Sequence, residues 1–471
     1  MFDKAVHDSF IPADTACSRA LIDRMCAAWR VEARSAAARL DAIGELFELR
    51  RVERGEHEDW AVDTWAAVGA EVAAAFRISL AMAGSYLRYA LAMRERLPQV
   101  AEVFRAGDID YRLFQTLVYR TDLITDPGVL ARVDAELALR VRRWPSMTRG
   151  RLAGEVDRVV GRADADAVRH QRERQADREV SIWDSEAGMA EVHGRLFDAD
   201  ATALDMRLNA LAETVCAADP RTRDQRRADA LGVLAAGSDR LGCRCGSAEC
   251  AAGGRAAGPV VIHVIAEQST VEGRGATPAS ALGADGLIPA PVLAELAKSA
   301  RLRPLVVPAA AEPHYLPSAK LAAYVRARDL TCRAPGCDRP ATGCDVDHTV
   351  PYADGGATHP SNLKCLCRTH HLLKTFWGWR DKQLPDGTVI WTTPGGQVYV
   401  TTPGSVLLFP SLCAPSAVVP TLEHTDRCGD RTAMMPLRTT TRAQDRSHRI
   451  AAERGHNRRR RLAGPGPLSG Y

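Results

Sequence analysis

Between Cys332 and Lys374 the chain reads CRAPGCDRPATGCDVDHTVPYADGGATHPSNLKCLCRTHHLLK. This stretch holds two pairs of soft metal ligands, an Asp-His pair, a Gly-Gly loop, an asparagine and a second His pair. Thiolate with imidazole suits Zn²⁺, whereas carboxylate with imidazole suits harder, exchangeable ions. Soft ligands bracketing a harder set imply two metal sites with different jobs, one structural and one catalytic. That combination points to a nuclease.

Cys332 and Cys337 flank four residues that include Pro335-Gly336, the tight turn a metal knuckle requires. Cys367 and His370 form a Cys-x2-His pair that one helical turn presents to the same ion. Four such ligands close a tetrahedral Zn²⁺ site and leave no open position, as a structural ion needs. Cys344 and Cys365 compete for this role. Cys365 can share a face with Cys367, and Cys344 is the first substitute in the set. Disulfides are the other reading, but they need an oxidising compartment, and no secretory signal opens the chain.

The inner residues differ in character. Asp347-His348 lies in a valine-flanked stretch suited to a short strand. Neighbouring strand residues face opposite ways, so the pair needs a local bend to share one site. Gly355-Gly356 permits backbone conformations closed to other residues. Asn362 follows, and Arg368 to Thr375 reads as a short helix carrying His371. Strand, loop, strand and helix with Asp-His, Asn and His in that order resemble the HNH (ββα-metal) endonuclease motif in its zinc-stabilised form. The resemblance implies that Asp347 and His371 bind one catalytic divalent cation. It implies that His348 is the general base toward water and that Asn362 holds the loop and orients that histidine. It also implies cleavage of DNA to 5′-phosphate and 3′-hydroxyl ends. An ordinary imidazole, with a pKa of about 6.5, is largely neutral at cellular pH and can take the proton. One carboxylate and one imidazole fit Mg²⁺, Mn²⁺ or Ni²⁺ without choosing among them. A zinc ribbon that binds without cutting would carry the same cysteines, with His348 and Asn362 as ordinary loop residues.

Flanking elements must position these groups. Ser318 can cap a helix through Lys320, Tyr324, Arg326 and Arg328 that leads into the knuckle. Arg326, Arg328 and Lys374 are candidate phosphate contacts. Beyond the motif, β-branched and aromatic runs separated by Asp386-Gly387 and Gly395-Gly396 predict a hairpin. Its Trp377, Trp379, Trp391 and Tyr399 would give a small zinc module apolar cover. The expected nuclease domain spans residues 316–400. Residues 430–471 carry many arginines without apolar periodicity, the pattern of a disordered basic tail. Within it Arg458, Arg459, Arg460 and Arg461 offer sequence-independent affinity for DNA.

The chain has 471 residues and 46% hydrophobic composition, enough for two or more domains with their own cores. A net charge of +4 alone says little about nucleic acid. No window is long and apolar enough to span a bilayer, since Glu71 and Arg77 interrupt even the alanine-rich stretch, so a soluble, cytoplasmic protein is expected. Residues 15–300 form an α-rich region. Leu21, Met25 and Trp29, then Leu40, Ile43, Leu46 and Phe47, mark its apolar stripe, with breaks near Gly55, Pro98, Pro127-Gly128 and Pro145. Arg172 to Arg178 should be exposed. Glu179 to Leu196 predicts a hairpin, a helix follows from Asp198, and Pro259 to Ala266 predicts a buried strand in which His263 is a satisfied strand residue.

The Met189 hairpin, the run Arg223 to Leu231 and the Val260-to-Ala266 strand resemble the domain-of-unknown-function 222 family. That family is found mostly in actinobacteria and is commonly followed by an HNH module; with it, the chain resembles the mycobacterial 13E12-repeat proteins. The fold expected is mainly α with some β, an α-rich N-terminal domain followed by a zinc-stabilised ββα-metal nuclease module. Cys243, Cys245 and Cys250 lie among glycines and read as a loop of free thiols, although Cys216 or a histidine could complete a metal site. Gly273 to Gly286 reads as a flexible link. The expected function is metal-dependent hydrolysis of DNA, with Zn²⁺ and one catalytic divalent cation as cofactors. The alternatives are an inactive DNA-binding protein of a repeated or mobile element, or a nuclease toxin or defence effector.

Overall fold

Alanine, leucine and arginine at helical spacing build the first third of the chain as α1 (Ala16–Arg54), α2 (Thr64–Phe76), α3 (Leu80–Leu91), α4 (Pro98–Arg105), α5 (Tyr111–Thr121), α6 (Pro127–Val141) and α7 (Arg149–Ala163). The computed structural model describes residues 16–144, 147–169, 179–184, 189–196, 198–250, 263–282, 287–298, 300–308, 310–415 and 434–462. Side-chain oxygens of Asp63, Ser79, Asp110 and Asp126 accept from backbone N–H groups three residues on and cap α2, α3, α5 and α6. Pro98 and Pro127 open their helices, where a missing N–H costs nothing. Leu40, Leu87, Phe104, Phe114, Leu117 and Val160 fill the bundle core.

The apolar stripe of α1 divides. Leu40 and Ile43 are buried, and Leu46 and Phe47 pack against the core. Leu21, Met25 and Trp29 are 45%, 65% and 55% exposed, because the bundle begins to cover α1 only at Ala33. Glu71, which interrupts the alanine-rich stretch, is buried in a two-pronged ion pair at 2.8 Å with Arg50. Helix α2 serves two cores. Val68, Val72 and Ala73 face the bundle, while Ala67, Ala70 and Ala74 join a second core made with the C-terminal module. No single helix among the described residues is long and apolar enough to cross a membrane.

Strands β1 (Glu179–Asp184) and β2 (Ala190–Arg195) pair antiparallel, as their alternation implies. Helices α8 (Asp198–Ala212) and α9 (Arg223–Ala235) follow, and among the described residues they bury only Leu208, Leu211, Ala212 and Ala230 as apolar side chains. Of the strand expected from Pro259 to Ala266, the described part contains β3 (Val264–Ile265), half-buried, with His263 exposed beside it; residues 259–262 lie outside the described ones. It pairs with β4 (Ala279–Ala281), which pairs with β5 (Leu287–Ile288), so part of the expected link is sheet. Pro145, Arg172 to Arg178, Gly253-Gly254 and Gly286 lie outside the described residues.

The C-terminal module consists of α10 (Ala319–Asp329), β6 (Cys344–His348), β7 (Leu363–Cys367) and α11 (Arg368–Phe376). A sheet of β8 (Arg380–Gln383), β9 (Val389–Thr392) and β10 (Val398–Thr401) follows, in the order β10-β9-β8. Strands β6 and β7 run antiparallel with Cys344 opposite Cys367, Asp347 opposite Lys364 and His348 opposite Leu363. The ladder passes through Asp347 and ends at His348 without a bulge. Trp377, Trp379 and Trp391 are core residues, and the Trp377 indole N–H donates to Val62 O at 3.0 Å.

Residues 442–462 are not a disordered tail. They form helix α12 (Arg442–Leu462), docked on the bundle. Arg446, Arg454 and Arg461 pair with Asp122, Asp164 and Asp166 at 2.7, 2.6 and 3.0 Å, and Ile450 enters the bundle core. Asn457 Nδ2 donates to Asp166 O and Val168 O. Bundle carboxylates and one apolar anchor therefore hold a helix that has no stripe of its own.

Candidate active site

Four soft ligands converge at the start of the module. Gly336, at φ +71°, turns the Cys332–Cys337 knuckle back, and a Cβ there would meet Ala73 O of α2 at 2.7 Å. Cys367 stands at the start of α11 and His370 one turn on. The donor atoms of Cys332, Cys337, Cys367 and His370 lie within 4.8 Å of one another. His370 Nδ1 is 3.2 Å from Cys367 Sγ and 3.6 Å from Cys332 Sγ. Three thiols and one imidazole, largely buried, fit the donor set of a structural Zn²⁺. Cys344 is not in the cluster, because its thiol donates to Pro340 O at 3.4 Å. Cys365 is also elsewhere, in the core beside Asp329.

On one side of β6, Asp347 Oδ1 comes to 3.5 Å from His371 Nε2. The other ring nitrogen, Nδ1, meets Asp345 Oδ2 at 2.8 Å. The Asp345 carboxylate is thereby placed to fix the orientation of the His371 ring. Asp347 and His371 thus have the types and spacing to share one divalent cation. Two lysines that sequence reasoning missed in this role complete the site. Lys364 Nζ lies 2.7 Å from Asp347 Oδ2 and 2.5 Å from Asp381 Oδ2, and Lys374 Nζ lies 2.7 Å from the same Asp347 oxygen. Burial alone would raise the Asp347 carboxyl, but the two ammonium groups overcome it and hold it below its usual range.

Lys364 is fully buried, so replacing it by alanine would leave Asp347 and Asp381 facing one another with Lys374 as their remaining cation. Breaking such a buried pair costs about 3–5 kcal/mol. Lys364→Ala should therefore lower the urea midpoint strongly, and an unchanged midpoint would mean that solvent already reaches the cluster.

The His348 ring is stacked by Tyr315 at 5.4 Å between centroids and edged by Tyr352 at 5.8 Å. Its Nε2 is 2.9 Å from Thr358 Oγ1, and that hydroxyl donates its only proton to His314 O at 2.6 Å. His348 Nε2 therefore carries the proton it shares with Thr358, and Nδ1 is left as the acceptor. Burial is the largest cause that lowers the His348 pKa to about 4, with Lys364 and Lys374 adding to it and Asp347 opposing. The ring is neutral at ordinary pH. Asn362 clamps the loop between the strands: its Oδ1 accepts from Val350 N at 2.8 Å, and its Nδ2 donates to Val350 O and Ala357 O at 3.0 Å. Gly356 permits this closeness, since a Cβ there would lie 1.9 Å from Val350 O.

The expected phosphate contacts fare differently. Arg328 is buried, donating to Asp329, Pro360 O and Leu363 O, because three acceptors satisfy a guanidinium that sequence alone reads as exposed. Lys374 likewise points into the site, donating to Asp347 and His348 O. Arg326 is half-buried. On α12, Arg458 and Arg459 are exposed, Arg461 is engaged by Asp166, and the Arg460 side chain lies outside the described residues.

Comparison with known proteins fits this division. The sequence profile described as "Domain of unknown function (DUF222)" matches residues 27–329, and that described as "HNH endonuclease" matches residues 331–376. The chain is 45% identical to the uncharacterized protein Rv3776 of Mycobacterium tuberculosis, over 94% of this chain and 90% of the relative. The uncharacterized protein Rv2100 of the same organism is 46% identical, over 91% of this chain and 86% of its own length. No solved structure matches. The chain therefore belongs to the DUF222 family, with an HNH endonuclease domain following its helical region.

Proposed function

We propose that this chain is a metal-dependent endonuclease that hydrolyses DNA phosphodiester bonds at the β6–β7–α11 site, with Zn²⁺ as the structural ion on Cys332, Cys337, Cys367 and His370. The observation that carries the reading is the approach of Asp347 Oδ1 and His371 Nε2 to 3.5 Å on a strand that also bears a neutral His348. A divalent cation on that pair, Mg²⁺, Mn²⁺ or Ni²⁺, would neutralise charge at the scissile phosphate and the leaving oxygen. His348 Nδ1 takes the proton of the attacking water while Thr358 fixes the tautomer through Nε2. Asn362 keeps the loop, and with it Thr358, in register. The negative charge of an incoming phosphodiester would raise the basicity of His348 toward the range a general base needs.

The site also carries features that favour binding without cutting. Two ammonium groups occupy Asp347 Oδ2, and Tyr315 covers His348. Incubating the purified chain with supercoiled plasmid and each divalent cation separates the two readings. Nicked and linear products with 5′-phosphate ends are expected. Intact plasmid retained by the protein in a gel shift with every cation would establish the binding reading instead.

The exposed arginines of α12 supply a separate expectation. If Arg458 and Arg459 touch the DNA backbone, replacing both by alanine should reduce the slope of log affinity against log salt by roughly 0.9 for each lost contact. Fluorescence anisotropy over a salt series reads this directly, and an unchanged slope removes α12 from the DNA path.

A further inference from the structure

A second thiol cluster lies far from the nuclease site in sequence. Cys216 follows α8, and Cys243, Cys245 and Cys250 follow α9, yet their four sulfurs lie within 4.8 Å of one another. Tetrahedral Zn²⁺ with bonds of about 2.3 Å places its sulfurs about 3.8 Å apart, close to this spacing. Cys216 Sγ and Cys243 Sγ are 3.4 Å apart, well beyond the length of about 2.05 Å of a disulfide. Among the described residues no carboxylate or imidazole belongs to the group, and its four donors are uniformly soft.

The surrounding chain is built to bring the two loops together. Arg221 donates to Asp219, Asp229 and Gly242 O, and Arg244 N donates to Asp219 Oδ2 at 2.9 Å. Leu241 N donates to Thr214 Oγ1 at 2.9 Å, which ties the second loop to the end of α8. Gly246, at φ +74°, turns the chain directly after Cys245, and Cys250 N closes a turn on Ser247 O. Among the described residues, the helix pair that carries these loops buries only four apolar ones, two of them alanines. A unit with so little core needs a staple.

We propose that Cys216, Cys243, Cys245 and Cys250 bind a second structural Zn²⁺, which ties the end of α8 to the loop after α9. The site has four protein ligands and no open position, so its ion braces the helix pair rather than reacting. The assignment is independent of the nuclease reading, because it is read from metal content rather than activity.

The test is zinc stoichiometry of the full chain, purified under reducing conditions, by elemental analysis. Wild type should hold two zinc ions, and Cys245→Ser and Cys367→Ser should each hold one. The Cys245→Ser/Cys367→Ser double variant should hold none. If Cys245→Ser fails to accumulate, Co²⁺ replaces zinc in wild type. Two equivalents with sulfur-to-metal charge-transfer absorption then support the site, and one equivalent overturns it. A single zinc in wild type, or two retained in Cys245→Ser, would also refute the assignment. So would iron at the second position, or a loss of two titratable thiols that marks a Cys216–Cys243 disulfide.

Discussion

Replacing His348 by alanine is expected to slow plasmid cleavage by about 10²–10⁴-fold, the usual worth of a positioned general base. DNA affinity and melting temperature should stay near wild type. The main partners the ring loses are Thr358 Oγ1 and the rings of Tyr315 and Tyr352. Asp347 keeps both lysines and His371, so the metal-binding side is undisturbed. Single-turnover rates at saturating cation isolate the chemical step from binding. Cleavage by His348→Ala at the wild-type rate would show that water is activated by another group.

Removing the structural ion should be far more disruptive. In Cys367→Ser the module is expected to release the ion bound at Cys332, Cys337 and His370 and to lose its fixed packing. Structural Zn²⁺ contributes about 10–16 kcal/mol in small zinc peptides, on the order of a whole domain's stability. Near-UV circular dichroism reports the outcome, because Trp377, Trp379 and Trp391 are all buried beside the knuckle. Asp347→Asn is the matching control, with zinc retained, the tryptophan signal intact and cleavage lost. A native tryptophan spectrum in Cys367→Ser would mean that the apolar core holds the module without its ion.

What the sequence made legible is what spacing encodes. Cys332, Cys337, Cys367 and His370 stand at intervals that a knuckle and one helical turn impose, and they lie together in the structure. Asn362 follows a Gly-Gly loop whose closure needs a side chain with both donors and an acceptor. The charge cluster was not legible, because Asp347 meets Lys364 only through the β6–β7 register, and Asp381 arrives from a later sheet. Nor was Arg328, whose acceptors at Pro360 and Leu363 lie one loop and one strand away. Helix α12 was misread for a related reason. Its composition resembles disorder, but the carboxylates that order it, Asp122, Asp164 and Asp166, come from the distant helical bundle. For the second cluster, the sequence offers Cys216 only as one alternative to a histidine, because the whole of α9 lies between it and Cys243.

The two-faced helix α2 sets a timetable for the newborn chain. One face closes against the bundle soon after it is made, while Ala67, Ala70 and Ala74 await Leu321, Leu363 and Trp377. Roughly 250 residues separate the helix from the first of these, so at about 5–20 residues per second the second face stays open for on the order of ten to fifty seconds. During that interval the ribosome carries a folded bundle with an unfilled apolar groove, a substrate for chaperones. A chain halted before the nuclease module should stay bound to them, and completion of the module should release it.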